Sequence, residues 1–266
     1  MSEVNAEQIF SKLVSFDTTS SRSNLPLADY VCELLDDVSG TVVRDVSADG
    51  TKTNLMIRVG PELDEHRRGI VLSGHMDTVP AVEPSWQSDP FELHDGDDRW
   101  IARGSSDMKG FLALAIDLVR RTDPRELKAP IVLLLTYDEE VGTLGARHWV
   151  DHHGSTSLPR SAIIGEPTEL HVVRMHKGHL KLRVKVSGVS AHSGYPHLGV
   201  NAIERAGRVI SELTRLRIAL ESERSADSEA FEPVPWVPLN LGEIHGGTAI
   251  NIIPDQCEIT IGLRLL

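Results

Sequence analysis

Four short, unbroken apolar runs constrain this chain most: Leu55-Met56-Ile57, Ile70-Val71-Leu72, Ile131 to Leu135, and Ala162-Ile163-Ile164. A strand with one wet face alternates apolar and polar residues, whereas a strand covered on both faces reads as a continuous apolar run. Helical patterns lie before and between the runs, at residues 5–16, 26–38, 109–121 and 143–151, with Pro26 placed for a helix first turn. Apolar strands alternating with helices predict an α/β domain whose sheet is covered on both faces. The longest run, Ile131 to Leu135, is far shorter than the roughly 20 residues that cross a bilayer.

The pattern changes near Lys177. Leu180, Leu182, Val184 and Val186 alternate with polar residues, as in a half-buried strand. A long helix follows, with Val200, Ile203, Ala206, Ile210 and Leu213 on one stripe, then two alternating strands around 236–244 and 256–265. This predicts two domains, residues 1–177 (α/β) and 178–266 (small α+β). Cys257, Ile259, Ile261, Leu263 and Leu265 form one apolar face that is expected to need a covering helix beyond Leu266. Both domains are therefore expected to be incomplete, with the sequence truncated at its C-terminal end.

Lys+Arg number 27 against Asp+Glu 39, a formal charge of -12. No basic excess exists to displace counterions from a polyphosphate, which disfavours nucleic acid as a partner. Acidity suits a cationic substrate or bound metal. The two cysteines, Cys32 and Cys257, sit in no metal or redox spacing and read as reduced thiols of a cytoplasmic protein. The N-terminus shows no basic or apolar signal-peptide region.

Four predicted strands each lead into a polar cluster. They are SGHMDTVP (residues 73–80), RGSSDMKG (103–110, after Trp100-Ile101-Ala102), TYDEEVG (136–142) and IIGEPT (163–168). In open α/β sheets, sites lie outside the carboxyl ends of strands. One His with several carboxylates is a ligand set for Zn²⁺ or another divalent ion. Asp107 suits a bridging position. Asp77, two residues from His75, suits a carboxylate that fixes the imidazole tautomer. Of the adjacent Glu139 and Glu140, one would bind metal and the other act as general base.

In order and spacing these segments resemble the di-zinc amidohydrolase and exopeptidase family, which includes deacetylases, desuccinylases, aminoacylases and some carboxypeptidases. The resemblance runs from about residue 9 to the end. It implies a zinc-exopeptidase-like catalytic domain with a central mixed sheet, and a ferredoxin-like lid and dimerisation domain. It implies two Zn²⁺, with Co²⁺ as a substitute. His75 and Glu166 would hold one zinc, Asp107 would bridge, Glu140 would hold the second, and Glu139 would be the base. Asp77 would orient His75, and a cis peptide would follow Asp107. The family's last ligand of the second zinc is a histidine expected beyond Leu266; His245 and His152-His153 lie outside its motif.

In the smaller domain, Ser190-Ala191-His192-Ser193-Gly194 resembles the family's lid motif, whose His stabilises the oxyanion in the partner subunit of a homodimer. Without the resemblance His192 reads as an exposed loop histidine. Gly246 to Pro254 resembles a substrate-contact loop in which Asn251 would bond the substrate. Lys177 and Arg264 are candidates for the substrate carboxylate, or else structural. Residues 176–204 and 239–254 most resemble the members that hydrolyse N2-acetyl-L-ornithine to ornithine and acetate, a step of arginine biosynthesis. Succinyl-diaminopimelate, or another small-molecule N-acyl amino acid, is the alternative substrate. A reading of another class is an inactive remnant that binds or dimerises only.

Overall fold

The computed structural model describes residues 4–38, 40–82, 84, 86–154 and 158–266. Contacts divide the protein into Met1–His171 and Val172–Leu266. The change of pattern near Lys177 falls within the second unit.

The first unit begins with α1 (Ala6–Val14). The Asn5 side chain accepts from the Gln8 N–H at 2.9 Å, and the Gln8 side chain accepts from the Asn5 N–H at 3.0 Å. This reciprocal pair satisfies two donors that a helix start leaves open. Next, α2 (Leu25–Leu34) has Pro26 in its first turn and stops before the expected residue 38. Asp36 and Asp37 follow it, and negative charge opposes the dipole at a helix C-terminus.

The strands of this unit are β1 (Thr41–Val46), β2 (Thr53–Val59), β3 (Ile70–His75), β4 (His94–Gly96), β5 (Arg99–Ile101), β6 (Ile131–Thr136) and β7 (Ser161–Ile164). Five form a mixed sheet in the order β1-β2-β6-β3-β7. Pairing is antiparallel from β1 to β6 and parallel from β6 through β3 to β7. The edge strand β1 escaped sequence reading because only one of its six positions is buried, three being exposed. Two further helices are α3 (Gly110–Arg121) and α4 (Leu144–His153), ending on Arg120-Arg121 and His152-His153, side chains that suit a helix C-terminus.

The unbroken apolar runs now have a cause. Leu55, Ile57, Leu133 and Leu135 pack against Ile9, Leu13, Leu27, Val31, Leu112 and Ile116 of α1, α2 and α3. Met56, Val132 and Leu134, the alternate residues, pack with Val71 against Trp149 of α4 on the other face. Burying each such aliphatic side chain stabilises by about 1.5–3 kcal/mol. Two expectations need correction. The edge strand β7 is exposed at all four positions, because neither cluster reaches it. The segment Trp100 to Gly104 is no strand of the central sheet either, since β5 pairs only with β4.

The second unit contains β8 (Gly178–Ser187), β9 (Ala191–His192), α5 (Ala202–Ser222), β10 (Leu239–Gly246), β11 (Ile252–Ile253) and β12 (Gln256–Leu265). An antiparallel sheet runs β10-β12-β8, and a short pair joins β9 to β11. The Asn201 side chain caps α5, accepting from the N–H of Ile203 at 2.9 Å and of Glu204 at 3.2 Å. The face of β12 that was expected to lie uncovered is covered along most of its length, Leu265 alone of its five apolar residues staying exposed, at 40%. Cys257, Ile259 and Ile261 are at most 3% exposed, packed with Ala202, Ala206, Val209, Ile210 and Leu213 of α5. The helix stripe and the strand face are each other's partners, a pairing that reading each segment alone overlooked. Ile203 turns outward instead, and Ala202 takes its place in the stripe.

Candidate metal centre

His75 ends β3 and is 2% exposed. Its strand neighbours β6 and β7 run parallel to it, so all three carboxyl ends share one edge of the sheet. From there β6 leads into Tyr137 to Glu140, and β7 leads into Gly165-Glu166. The Gly165 N–H donates to the Ser73 carbonyl at 3.1 Å, carrying the pairing up to Glu166. Asp107 arrives by another route, a kinked turn, Ser105–Lys109, that leads into α3 and in which Asp107 and Met108 leave helical geometry. Gly104 enters this turn with φ 75°, and the Asp107–Met108 peptide is cis.

The structure brings three of the four candidate ligands together. His75 Nε2 lies 2.9 Å from Asp107 Oδ1 and 3.8 Å from Glu166 Oε1. The three ligand atoms all lie within 4.8 Å of one another. The side chains of Asp107 and Glu166 are 47% and 41% exposed, so the cluster opens to solvent on its carboxylate side. Glu140 lies within electrostatic reach. Burial, and next the Asp107 carboxylate, push its pKa above the usual carboxylate value. Burial likewise raises Glu166, with His75 opposing and Asp107 adding to the rise. Burial pulls His75 down, but hydrogen bonds to Asp107 and Asp77 outweigh it and lift the imidazole to about 10.

One imidazole thus stands among Asp77, Asp107, Glu139, Glu140 and Glu166. Negative charge is in excess, and a divalent cation relieves it. The donors are an imidazole nitrogen and carboxylate oxygens, which fit zinc.

Asp77 is 2% exposed and has more work than orienting a ring. His75 Nδ1 sits 3.0 Å from its main-chain carbonyl and 3.4 Å from its carboxylate. The carboxylate accepts from Ser20 Oγ at 2.8 Å, from the Glu139 N–H at 3.0 Å and from the Glu140 N–H at 3.2 Å. Burial opposes its ionisation, but His75, Ser20 and the Glu139 N–H hold its pKa below the usual range.

Sequence reasoning missed three supports around this cluster. Ser20 is one. Lys52 bonds both the Asp138 carboxylate and the Ser20 carbonyl, fixing the segment just before Glu139. Lys109 is fully buried, donates to the Phe16 carbonyl at 2.7 Å, and is brought down to about 8 by burial against the pull of Asp17 and Asp77. The available signal was a lysine at the start of an otherwise apolar helix, inside the segment that also carries Asp107.

In the second unit, His192 is exposed, and its Nδ1 accepts from the Gly194 N–H at 3.0 Å. The Asn251 carbonyl accepts from the Ser193 N–H at 2.9 Å, so the two glycine-bearing loops meet. A cleft of about 430 Å³ borders Ser193, Gly247, Thr248 and Ile250. Gly247 adopts φ 78°, a conformation that side-chain-bearing residues rarely take. Lys177 donates to the carbonyls of Val234 and Trp236, at 2.5 and 2.6 Å, and lies over the Phe231 ring. Arg264 is exposed on β12, opposite His179 of β8.

The sequence profile of Peptidase family M20/M25/M40 matches residues 71–258, and the protein belongs to that family. It is 38% identical over 252 residues to acetylornithine deacetylase of Pectobacterium atrosepticum, covering 94% of this sequence and 63% of that protein. To acetylornithine deacetylase of Shigella sonnei it is 39% identical, covering 92% and 62%. It therefore spans somewhat under two thirds of these curated relatives. An M20 family metallo-carboxypeptidase, Sso-CP2 of Sulfolobus solfataricus, has the same fold, with TM-score 0.79 and 17% identity over 99% of this protein and 72% of that one. The YXEP protein of Bacillus subtilis, described as a dinuclear metal binding peptidase, matches with TM-score 0.58 and 16% identity over 98% and 63%.

Proposed function

We propose that this protein is a metal-dependent amidohydrolase that cleaves the N-acyl amide of an amino acid, with N2-acetyl-L-ornithine as substrate. The observation that carries the reading is His75 Nε2 set between the oxygens of Asp107 and Glu166 at a sheet edge crowded with carboxylates. The choice of substrate rests on the relatives named above. Two Zn²⁺, or Co²⁺ in their place, would be held by His75, Asp107 and Glu166 on one side and, on the other, by Asp107, Glu140 and the further histidine that the family resemblance implies. Zinc, when bound, polarises the amide carbonyl and makes water acidic enough to attack near neutral pH.

The protein's own residues do the rest. Glu139 takes the proton from the attacking water and returns it to the leaving amine. Asp77 fixes the Glu139 backbone and the His75 ring. His192 donates to the developing oxyanion, from the partner subunit of a homodimer formed through the second unit. Asn251 and Arg264 contact the substrate. Lys177 is read as structural, because carbonyls of Val234 and Trp236 already occupy its ammonium. The protein would act in the cytoplasm.

The test is direct. Zinc-loaded protein is offered N2-acetyl-L-ornithine, N-succinyl-diaminopimelate and N-acetylmethionine, and released amine is measured. The reading expects acetylornithine to be hydrolysed at least about tenfold faster, a difference of about 1.4 kcal/mol in the barrier. Faster release from the succinyl substrate would move the assignment to a desuccinylase. No release from any of the three would sink it.

A further inference from the structure

A second group of metal-type ligands lies in the first unit, away from His75. Asp45 sits near the end of β1 and is 6% exposed. His148 and His152 are four residues apart on α4 and share one helix face. His148 Nε2 lies 3.1 Å, and His152 Nδ1 2.8 Å, from Asp45 Oδ1. All three ligand atoms lie within 4.8 Å of one another. Ligands about 2.0–2.1 Å from a tetrahedral zinc stand roughly 3.3 Å apart, so small shifts would admit the ion.

The surroundings hold these groups in place. Asn54, fully buried and opposite Asp45 in the β1–β2 register, donates to Asp45 Oδ2 at 3.0 Å and to the Gly145 carbonyl at 2.8 Å. The Tyr137 N–H donates to the Asn54 side-chain oxygen at 3.3 Å. One Asp45 oxygen is thereby fixed by an outer partner while the other faces the histidines, as supporting residues do around metal ligands. His148 Nε2 is buried and makes no hydrogen bond among the described residues, despite its 3.1 Å approach to Asp45. A buried ring nitrogen left unmatched is destabilising. A cation beside Asp45 Oδ1 would give it a partner.

We propose that Asp45, His148 and His152 form a second transition-metal site, for zinc or a similar divalent cation, that pins α4 to the edge strand β1. Two imidazoles and a carboxylate are nitrogen and oxygen donors of the kind zinc takes, with a fourth position left for water or for His153, whose Nε2 lies 3.6 Å from Asp45 Oδ1. Three strand spacings separate β1 from β3, roughly 14 Å, so this site shares no ligand with the His75 cluster. It stands apart from the amidohydrolase reading and survives if that reading fails. The competing account is a hydrogen-bonded His–Asp group that holds a proton instead of a metal.

The experiment starts from a His75→Ala/Asp107→Ala variant of the protein, which removes the first cluster. Zinc per molecule is measured by elemental analysis after dialysis, and affinity by calorimetry. The proposal expects about one zinc retained. Adding His152→Ala, at a side chain 54% exposed and outside the core, should weaken it by about tenfold or more. No zinc in the starting variant, or unchanged affinity after His152→Ala, would overturn the site. A second measurement does not depend on variants that fold. Anomalous diffraction from zinc-soaked, unsubstituted crystals should place a peak between Asp45, His148 and His152, and no peak there also overturns it.

Discussion

The Asp77 carboxylate accepts from the backbone nitrogens of Glu139, at 3.0 Å, and of Glu140, at 3.2 Å. A single buried side chain therefore couples the end of β3 to the loop after β6. Asn at this position offers one acceptor oxygen in place of two. Asp77→Asn should lower zinc affinity of the His75 cluster by roughly tenfold to a hundredfold, the usual effect of losing an outer partner. Calorimetry checks this, and unchanged affinity would leave Asp77 with no part in ordering the ligands.

Glu139 and Glu140 are adjacent, yet their proposed tasks differ, so their truncation should separate two readouts. Glu139→Ala should keep zinc and lose about a hundredfold or more in turnover. Glu140→Ala should instead lose the second zinc and keep the one at His75, Asp107 and Glu166. If both variants kept their metal and their activity, the assignment of roles would be wrong.

Glycine substitutions give a paired test of packing. A Cβ at Gly165 would lie 1.9 Å from a ring atom of Phe111, so the backbone just before Glu166 must move. Gly165→Ala should destabilise by about 1–3 kcal/mol, as overpacking does, and weaken zinc binding. A Cβ at Gly207, in the interior of α5, meets nothing within 4 Å. Gly207→Ala should stabilise by about 0.5–1 kcal/mol. Denaturant midpoints of both variants check this, and a stable Gly165→Ala with intact zinc binding would contradict the close packing.

Acid should reveal the turn between β1 and β2. The Ser47 hydroxyl, then the Thr51 N–H and hydroxyl, hold Asp49 down to about 2 from 3.8. Its folded value is depressed, so its stabilisation is present above about pH 4 and lost as pH falls through about 2. The Tm difference between the native protein and Asp49→Ala should shrink over that window. A difference that stays constant down to about pH 2 would contradict it.

The sheet was legible because burial on both faces writes itself as unbroken apolar runs, as at Ile131 to Leu135. The candidate cluster was legible because most of its residues follow those runs directly, as Glu166 follows β7. Asp107 was placed on the right segment for the wrong structural reason, since a turn and not a sheet strand delivers it. Relations between distant segments were the part that pattern could not carry. Nothing in Cys257 to Leu265 says that α5 covers it, and nothing in His148 or His152 says that Asp45 lies beside them. Such pairings depend on which faces meet, and a periodic pattern fixes a face without naming its partner.

The mixed pairing of the sheet also has a kinetic side. The antiparallel β1 and β2 are joined by a tight turn, with the Ser47 N–H donating to the Lys52 carbonyl at 2.9 Å. The parallel β3–β6 and β3–β7 pairs close only after long crossovers, through α3 in the first case. Contacts between distant segments are slow to form. His75, Glu140 and Glu166 ride on those slow pairs, and Asp107 on the crossover itself. A refolding molecule therefore assembles its ligand cage late. A cation present from the start would find little to grip until the rate-limiting step had passed. It would slow the opening of the native state and leave the speed of its formation nearly unchanged.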